Sequence, residues 1–221
     1  MNRRALLLGG VAVVGAGGWA LTRGSGDLPP DPLMAANAQT SEGDAPMIKD
    51  IVLGNPDAEV EIIEYASYTC PHCANFHQNL MPQIKADYID TGKVKFIYRE
   101  VYFDRFGLWA SMIARCGGEM RFFGMTDLIY ERQRDWTASG DPATIIEALR
   151  TLAKTASMTD EMLDTCLEDA DQAQALVGWF KANAERDGVR STPSFMINGK
   201  MLDASWANGL VPAIDAALGE A

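Results

Sequence analysis

Val60-Glu61-Ile62-Ile63-Glu64-Tyr65, followed after two residues by Tyr68-Thr69-Cys70-Pro71-His72-Cys73, is the stretch that decides the fold. The first half is β-branched and apolar enough for a buried strand. Beyond the second half, Phe76, Leu80, Met81 and Ile84 recur at helical spacing. Two thiols three residues apart therefore sit where a strand meets a helix. Pro71 suits the first helical position, where a missing N–H costs nothing, and this makes Cys70 the N-cap. There its sulfur faces the free N–H groups of His72 and Cys73 and the positive end of the helix dipole. Both favour a thiolate over a thiol, so the Cys70 pKa should fall and Cys70 should be the nucleophile.

Working outward, Ile51-Val52-Leu53 reads as a short edge strand and Gly54-Asn55-Pro56-Asp57 as the turn into the strand at Val60. The helix from Pro71 is expected to run to about Asp90, stopped near Gly92. Val94-Lys95-Phe96-Ile97-Tyr98 is the next strand, joined by a helical crossover and hence parallel to the first. After Phe103 the pattern turns helical. Leu108, Trp109, Met112, Ile113 and Cys116 form one apolar face, and further helices run from Phe122 to about Arg132, from Asp141 to about Lys154, from Thr159 to Glu168, and from about Ala173 to Arg186. Ser194-Phe195-Met196-Ile197 and Lys200-Met201-Leu202 then form a hairpin through Asn198-Gly199, which supplies the positive φ angles of a type I′ turn. A closing helix spans about Trp206 to Leu218. The order β-α-β, helical insertion, β-β-α makes an α/β fold with a mixed sheet: a first part over 47–105, an all-helical subdomain over 106–187 and a second part over 188–221.

The N-terminal region has a different character. Arg3-Arg4 and an apolar, glycine-rich run from Ala5 to Leu21 read as an export signal over 1–22, and Gly-, Pro- and Ser-rich sequence over 23–46 reads as a linker. The expected location is the periplasm, with the segment either cleaved or kept as an inner-membrane tether with its positive end inside. Formal net charge is −11, which argues against nucleic acid and anionic membrane surfaces as partners.

Cys70-Pro71-His72-Cys73 at a strand-to-helix junction, with Thr192-Pro193 leading into a late strand and an Ile197-Asn198-Gly199-Lys200 turn, resembles the DsbA-like thiol–disulfide oxidoreductases over roughly residues 47 to 219. The resemblance implies a thioredoxin-like fold with an inserted helical subdomain. It implies that Cys70 exchanges with substrate, that Cys73 is its buried partner and that His72 stabilises the Cys70 thiolate. It also implies that Pro193 is a cis-proline facing the disulfide and that Thr192 offers backbone groups to an extended substrate strand. Glu64, six residues before the nucleophile, matches a buried acid that assists proton transfer at the inner thiol. Its strand face, shared with Val60 and Ile62, points the same way, while a solvated strand-end glutamate is the alternative.

The implied reaction needs no cofactor beyond the Cys70–Cys73 disulfide. The expected partners are reduced or unfolded exported polypeptides, with a membrane quinone reductase of the DsbB type as reoxidant, and the expected state is a monomer, because only a tether-like segment precedes Ile51. The Pro-His pair between the cysteines favours a disulfide-donating oxidase. Thr192 before the proline keeps an isomerase or reductase open. A zinc module is a further alternative: Cys70, Cys73 and His77 lie near one helical face, but a fourth ligand is missing. Cys116 and Cys166 lie on apolar helix faces, as a structural bridge favoured by an even cysteine count in an oxidising compartment, or as unpaired core thiols.

Overall fold

The computed structural model describes residues 46–203 and 205–220, so the expected export segment and all but the last residue of the expected linker lie outside the described residues. The chain opens with strands β1 (Val52–Gly54) and β2 (Val60–Ala66), helices α1 (Pro71–Asn79) and α2 (Met81–Ile84), a π-helical stretch (Lys85–Ile89) and strand β3 (Val94–Glu100). Six helices follow: α3 (Arg105–Cys116), α4 (Glu119–Glu131), α5 (Gln133–Thr137), α6 (Pro142–Thr155), α7 (Asp160–Glu168) and α8 (Ala170–Arg186). Strands β4 (Ser194–Ile197) and β5 (Lys200–Met201) and helix α9 (Trp206–Glu220) complete the order.

The strands form one five-stranded sheet, β1-β3-β2-β4-β5. β2 and β3 run parallel, Val60 opposite Val94 and Ala66 opposite Glu100, because α1 carries the chain back across the sheet between them. β1 and β4 flank them antiparallel, and β4 turns into β5 through Asn198 (φ 47°) and Gly199 (φ 75°), the two positive angles a type I′ turn demands.

β2 is buried on both faces. Val60, Ile62 and Ala66 join the main core with Phe76 of α1, Leu210 and Ile214 of α9 and the apolar sides of α3 and α4, whereas Ile63 and Tyr65 pack with Ile97, Val101 and Met196 beneath Phe180 of α8. Phe76, fully buried, meets the rings of Phe195 and Trp206 at 4.7 and 5.5 Å, and removing one such side chain from water contributes roughly 1.5–3 kcal/mol. That contact fixes α1, and with it the two cysteines, against the sheet.

Three expectations are corrected. The first helix does not run unbroken to Asp90. Pro82 cannot donate to the Gln78 carbonyl and its ring crowds it, so α1 ends at Asn79, α2 restarts at Met81 and the last residues relax into the π-helical stretch. The last insertion helix starts at Ala170 rather than Ala173, because the Asp169 carboxylate caps it by accepting from the Gln172 N–H at 2.8 Å. Gln133–Thr137 is a separate short helix where none was expected.

Cys116, at the end of α3, and Cys166, in α7, are joined in a disulfide that spans 50 residues. Closing a loop of that length contributes about 4 kcal/mol in the chain-entropy model. The Cys116→Ala/Cys166→Ala double variant is therefore expected to lose up to about that much unfolding free energy in urea titration while keeping the Cys70 chemistry. A stability equal to that of the unaltered protein would contradict this.

Candidate functional site

Cys70 is the N-cap of α1, with φ −82°, ψ 118° and Pro71 directly behind it. A turn from Ser67 (Cys70 N–H to Ser67 carbonyl, 3.0 Å) delivers it there, and its own carbonyl accepts the first helical bond from Ala74 at 3.1 Å. Two links hold this turn, one from the helical insertion and one from the residue that caps its first helix. Gln133 of α5, itself buried, donates to the carbonyls of Tyr68 and Cys70 at 2.7 and 2.9 Å. Thr69 donates from its hydroxyl to Asp104 at 2.8 Å, the same aspartate that caps α3 through the Gly107 N–H.

Cys70 and Cys73 are both thiols in this structure, Cys70 8% exposed and Cys73 fully buried. Their environments push the two pKa values apart. Cys70 is lowered to about 5, first by the hydrogen bond from the Cys73 thiol, then, against a burial penalty, by Thr192 and by the backbone N–H groups of Cys73 and His72. Those N–H groups act by orientation, since no formal cap hydrogen bond to the sulfur is made. Cys73 is pushed far up by burial, by its hydrogen bond to Cys70 and by the charge of Glu64. At neutral pH these environments favour a thiolate at Cys70 and hold Cys73 as a thiol.

Thr192 and Pro193 stand opposite. Their peptide bond is cis, and the Cys70 thiol donates to the Thr192 carbonyl at 3.5 Å. Cys70, Cys73, Thr192 and Pro193 are thus brought together across 122 residues of sequence. His72 is exposed on the first turn of α1, and what reaches the Cys70 sulfur from it is its backbone N–H. Glu64 is fully buried rather than solvated. Its Oε2 shares a 2.8 Å hydrogen bond with His77 Nε2, and burial raises its carboxyl pKa while His77 opposes that rise. His77, which a zinc site would need beside the cysteines, is instead turned to Glu64 and stacked on Tyr130, ring centroids 4.2 Å apart. Among the described residues no cluster of three or more His, Cys, Asp or Glu side chains has the arrangement of a metal site. Cys116 and Cys166 belong to the insertion and not to this site.

Two site residues were not anticipated. Gln133 lies 63 residues from Cys70, with no local pattern to mark it. His77 enters the sequence reading only as a candidate metal ligand. Its position one helical turn after Cys73 was the available signal, since residues four apart share a helix face.

Residues 47–216 match the family described as Thioredoxin. The chain is 34% identical over 172 residues to a Rickettsia bellii protein named "Putative protein-disulfide oxidoreductase"; the match covers 77% of this chain and spans 65% of that relative's length. Among solved structures, Wolbachia pipientis alpha-DsbA1 superposes with a TM-score of 0.69 at 28% identity, over 79% of this chain and 94% of the other. A structure titled protein-disulfide isomerase from Novosphingobium aromaticivorans superposes with a TM-score of 0.67 at 28% identity, over 76% and 97%.

Proposed function

This chain belongs to the thioredoxin family and, within it, to the DsbA-like proteins, and on that footing we propose that it is a protein thiol–disulfide oxidoreductase that donates its Cys70–Cys73 disulfide to exported polypeptides. The observation that carries the reading is the separation of the two thiols: Cys70 lowered to about 5 at the helix end, Cys73 raised in the core behind it.

In the proposed cycle a client thiolate attacks the Cys70 sulfur. The Cys70–Cys73 bond breaks, a mixed disulfide forms at Cys70, and Cys73 leaves with the electron pair and takes up a proton. A second client thiolate then attacks the client sulfur of the mixed disulfide, the client's own disulfide forms, and Cys70 departs as a stabilised thiolate. The client lies extended along Thr192 and Pro193, whose backbone groups it can pair with. Glu64 serves the proton at Cys73. His72 adds to the stabilisation of the Cys70 thiolate.

The reduced pair has to be reoxidised, and a membrane quinone reductase of the DsbB type is the proposed acceptor of its two electrons. The proposed setting is the periplasm, reached through the Arg3-Arg4 and apolar segment, either free or tethered to the inner membrane, and the proposed working unit is a monomer. The isomerase title of the Novosphingobium structure favours disulfide reshuffling as the second reading. A pair of refolding assays separates the two. Oxidation of a reduced, unfolded client is expected to be fast and repair of a scrambled one slow, and the reverse ranking would hand the site to the isomerase reading.

A further inference from the structure

Behind Cys73 the core holds a polar pair with two loose ends. Glu64 and His77 are 0% and 7% exposed and meet through Oε2 and Nε2 at 2.8 Å. The second oxygen of Glu64, Oε1, and the second nitrogen of His77, Nδ1, are buried without a hydrogen-bond partner among the described residues. Buried polar atoms are normally paired, so two orphans on one hydrogen-bonded pair ask for an explanation. An imidazole can take a proton at one nitrogen while releasing one from the other, and a carboxyl can do the same with its two oxygens. The orphans are therefore the two open ends of a two-group path that needs three hydrogen bonds, of which the middle one is already made.

Each end has something to meet. On the inner side, Cys73 lies one turn before His77 on the same face of α1, and the Glu64 charge acts on it. On the outer side, His77 lines a pocket of about 530 Å³ with Gln78, Pro82, Lys85, Asp127 and Tyr130. Gln78 and Pro82 are exposed at its rim, so it reaches the surface. Pro82, at the helix break, is part of its lining, and the Tyr130 ring stacks on His77 while the Tyr130 carbonyl accepts from Gln78 at 2.7 Å. Neither Cys70, Thr192 nor Pro193 lines this pocket.

We propose that His77 is a proton-relay residue, passing the proton of the inner thiol between Glu64 and the pocket behind α1, on a route separate from the face where Cys70 meets its client. The proposal rests on the disulfide-exchange reading above. As the Cys70–Cys73 bond breaks, the electron pair goes to the Cys73 sulfur, which takes the proton from Glu64 Oε1. Glu64 Oε2 takes one from His77 Nε2, and His77 Nδ1, buried in this structure, takes one from a water admitted to it from the pocket. One solvent proton is consumed per disulfide reduced, and reoxidation runs the same path outward. The groups around the pair are Cys70 at the cap of α1, Cys73 in α1, Tyr98 from β3, Tyr130 and Asp127 from α4, and Lys85 of the π-helical stretch across the pocket. Tyr98 and Tyr130 are hydrogen-bonded to each other at 2.7 Å and stay neutral, their pKa values raised well above the ordinary value by burial.

The test is stopped-flow reduction of the oxidised protein by dithiothreitol between pH 5 and 9. His77→Gln keeps a donor toward Glu64 but cannot pass a proton, and is expected to react on the order of 10²-fold more slowly at neutral pH, with a flattened pH profile. His77→Ala opens the pocket to added imidazole, which is expected to restore at least part of the loss. In both variants the alkylation midpoint of Cys70 stays near pH 5. A His77→Gln protein with the original rate and profile overturns the relay, as does a slowed His77→Ala that imidazole does not rescue, or a displaced Cys70 midpoint, which marks a merely structural role. Should neither variant fold, the unaltered protein still decides: its rate is expected to fall in D2O, and a rate unmoved by D2O overturns the relay. An unaltered protein that does not exchange with thiols at all sinks the exchange reading and the relay with it, whereas exchange matched by His77→Gln sinks the relay alone.

Discussion

Cys73→Ser is expected to stall the protein halfway, joined to its client through Cys70, while Cys70→Ser brings client oxidation down to the uncatalysed background. The two sulfurs occupy opposite environments, and the variants report them separately. Cys70, at the open end of α1, is the sulfur a client thiolate can reach, and its lowered pKa makes it the better leaving group in the second half of the exchange. Cys73 is fully buried, with its pKa raised; in the proposed cycle it is the leaving sulfur of the first step, and by attacking Cys70 it can return a stalled mixed disulfide to the Cys70–Cys73 disulfide when the client offers no second thiol. Without it a mixed disulfide has no internal exit. Non-reducing electrophoresis of Cys73→Ser, with Cys70 first converted to its mixed disulfide with glutathione and then mixed with a client carrying a single thiol, should show a dithiothreitol-sensitive adduct, glutathione thiolate being the leaving group, and the same treatment of Cys70→Ser should show none. An adduct formed through Cys73 instead would reverse the roles.

The second large effect is on stability. A thiol whose folded pKa is depressed contributes stability that is fully present above its unfolded pKa, about 8.5, and is lost as pH falls through the folded value, near 5. The reduced protein should therefore gain stability between pH 5 and 8.5, and the oxidised protein, which has no Cys70 thiol to ionise, should lack this component. At pH 7, two units above the folded value, the linkage corresponds to about 3 kcal/mol, or about 2 kcal/mol once the solvent contact of the sulfur is allowed for. Paired urea titrations of the two forms across this window isolate it, since most other titrating groups are common to both. Parallel curves for the two forms would mean that the thiolate is not stabilised by folding. The same energy drives the chemistry: a stabilised thiolate favours the reduced state and makes the disulfide a stronger oxidant.

Much of this was legible because it is local. The junction from Val60 to Cys73 announces itself through β-branched residues, a proline and helical spacing, and the structure places Cys70 at the cap that Pro71 implies. The Asn198-Gly199 turn and the caps Asp141 and Thr159 are likewise written in adjacent residues. The break at Pro82 was written too, but the apolar repeat Phe76, Leu80, Met81, Ile84 spoke for a continuous helix and a single missing N–H outweighed it.

What was not legible depends on contacts across the fold. Alternation placed Glu64 beside Val60 and Ile62, yet β2 is buried on both faces, so alternation alone could not separate a buried carboxyl from a strand-end one. Its partner His77 comes from the next helix and Tyr130 from the insertion. Gln133 acts through two backbone carbonyls, and a side chain that binds backbone leaves no signature in the sequence it binds.

The measurement that bears most directly on the central claim, that the helix end stores the energy of a disulfide donor, is the reduction potential of the Cys70/Cys73 pair at pH 7, read from equilibrium with glutathione. The account predicts a value less negative than about −180 mV, on the oxidising side of disulfide isomerases. A value near about −270 mV, where thioredoxin-type reductants lie, would contradict it.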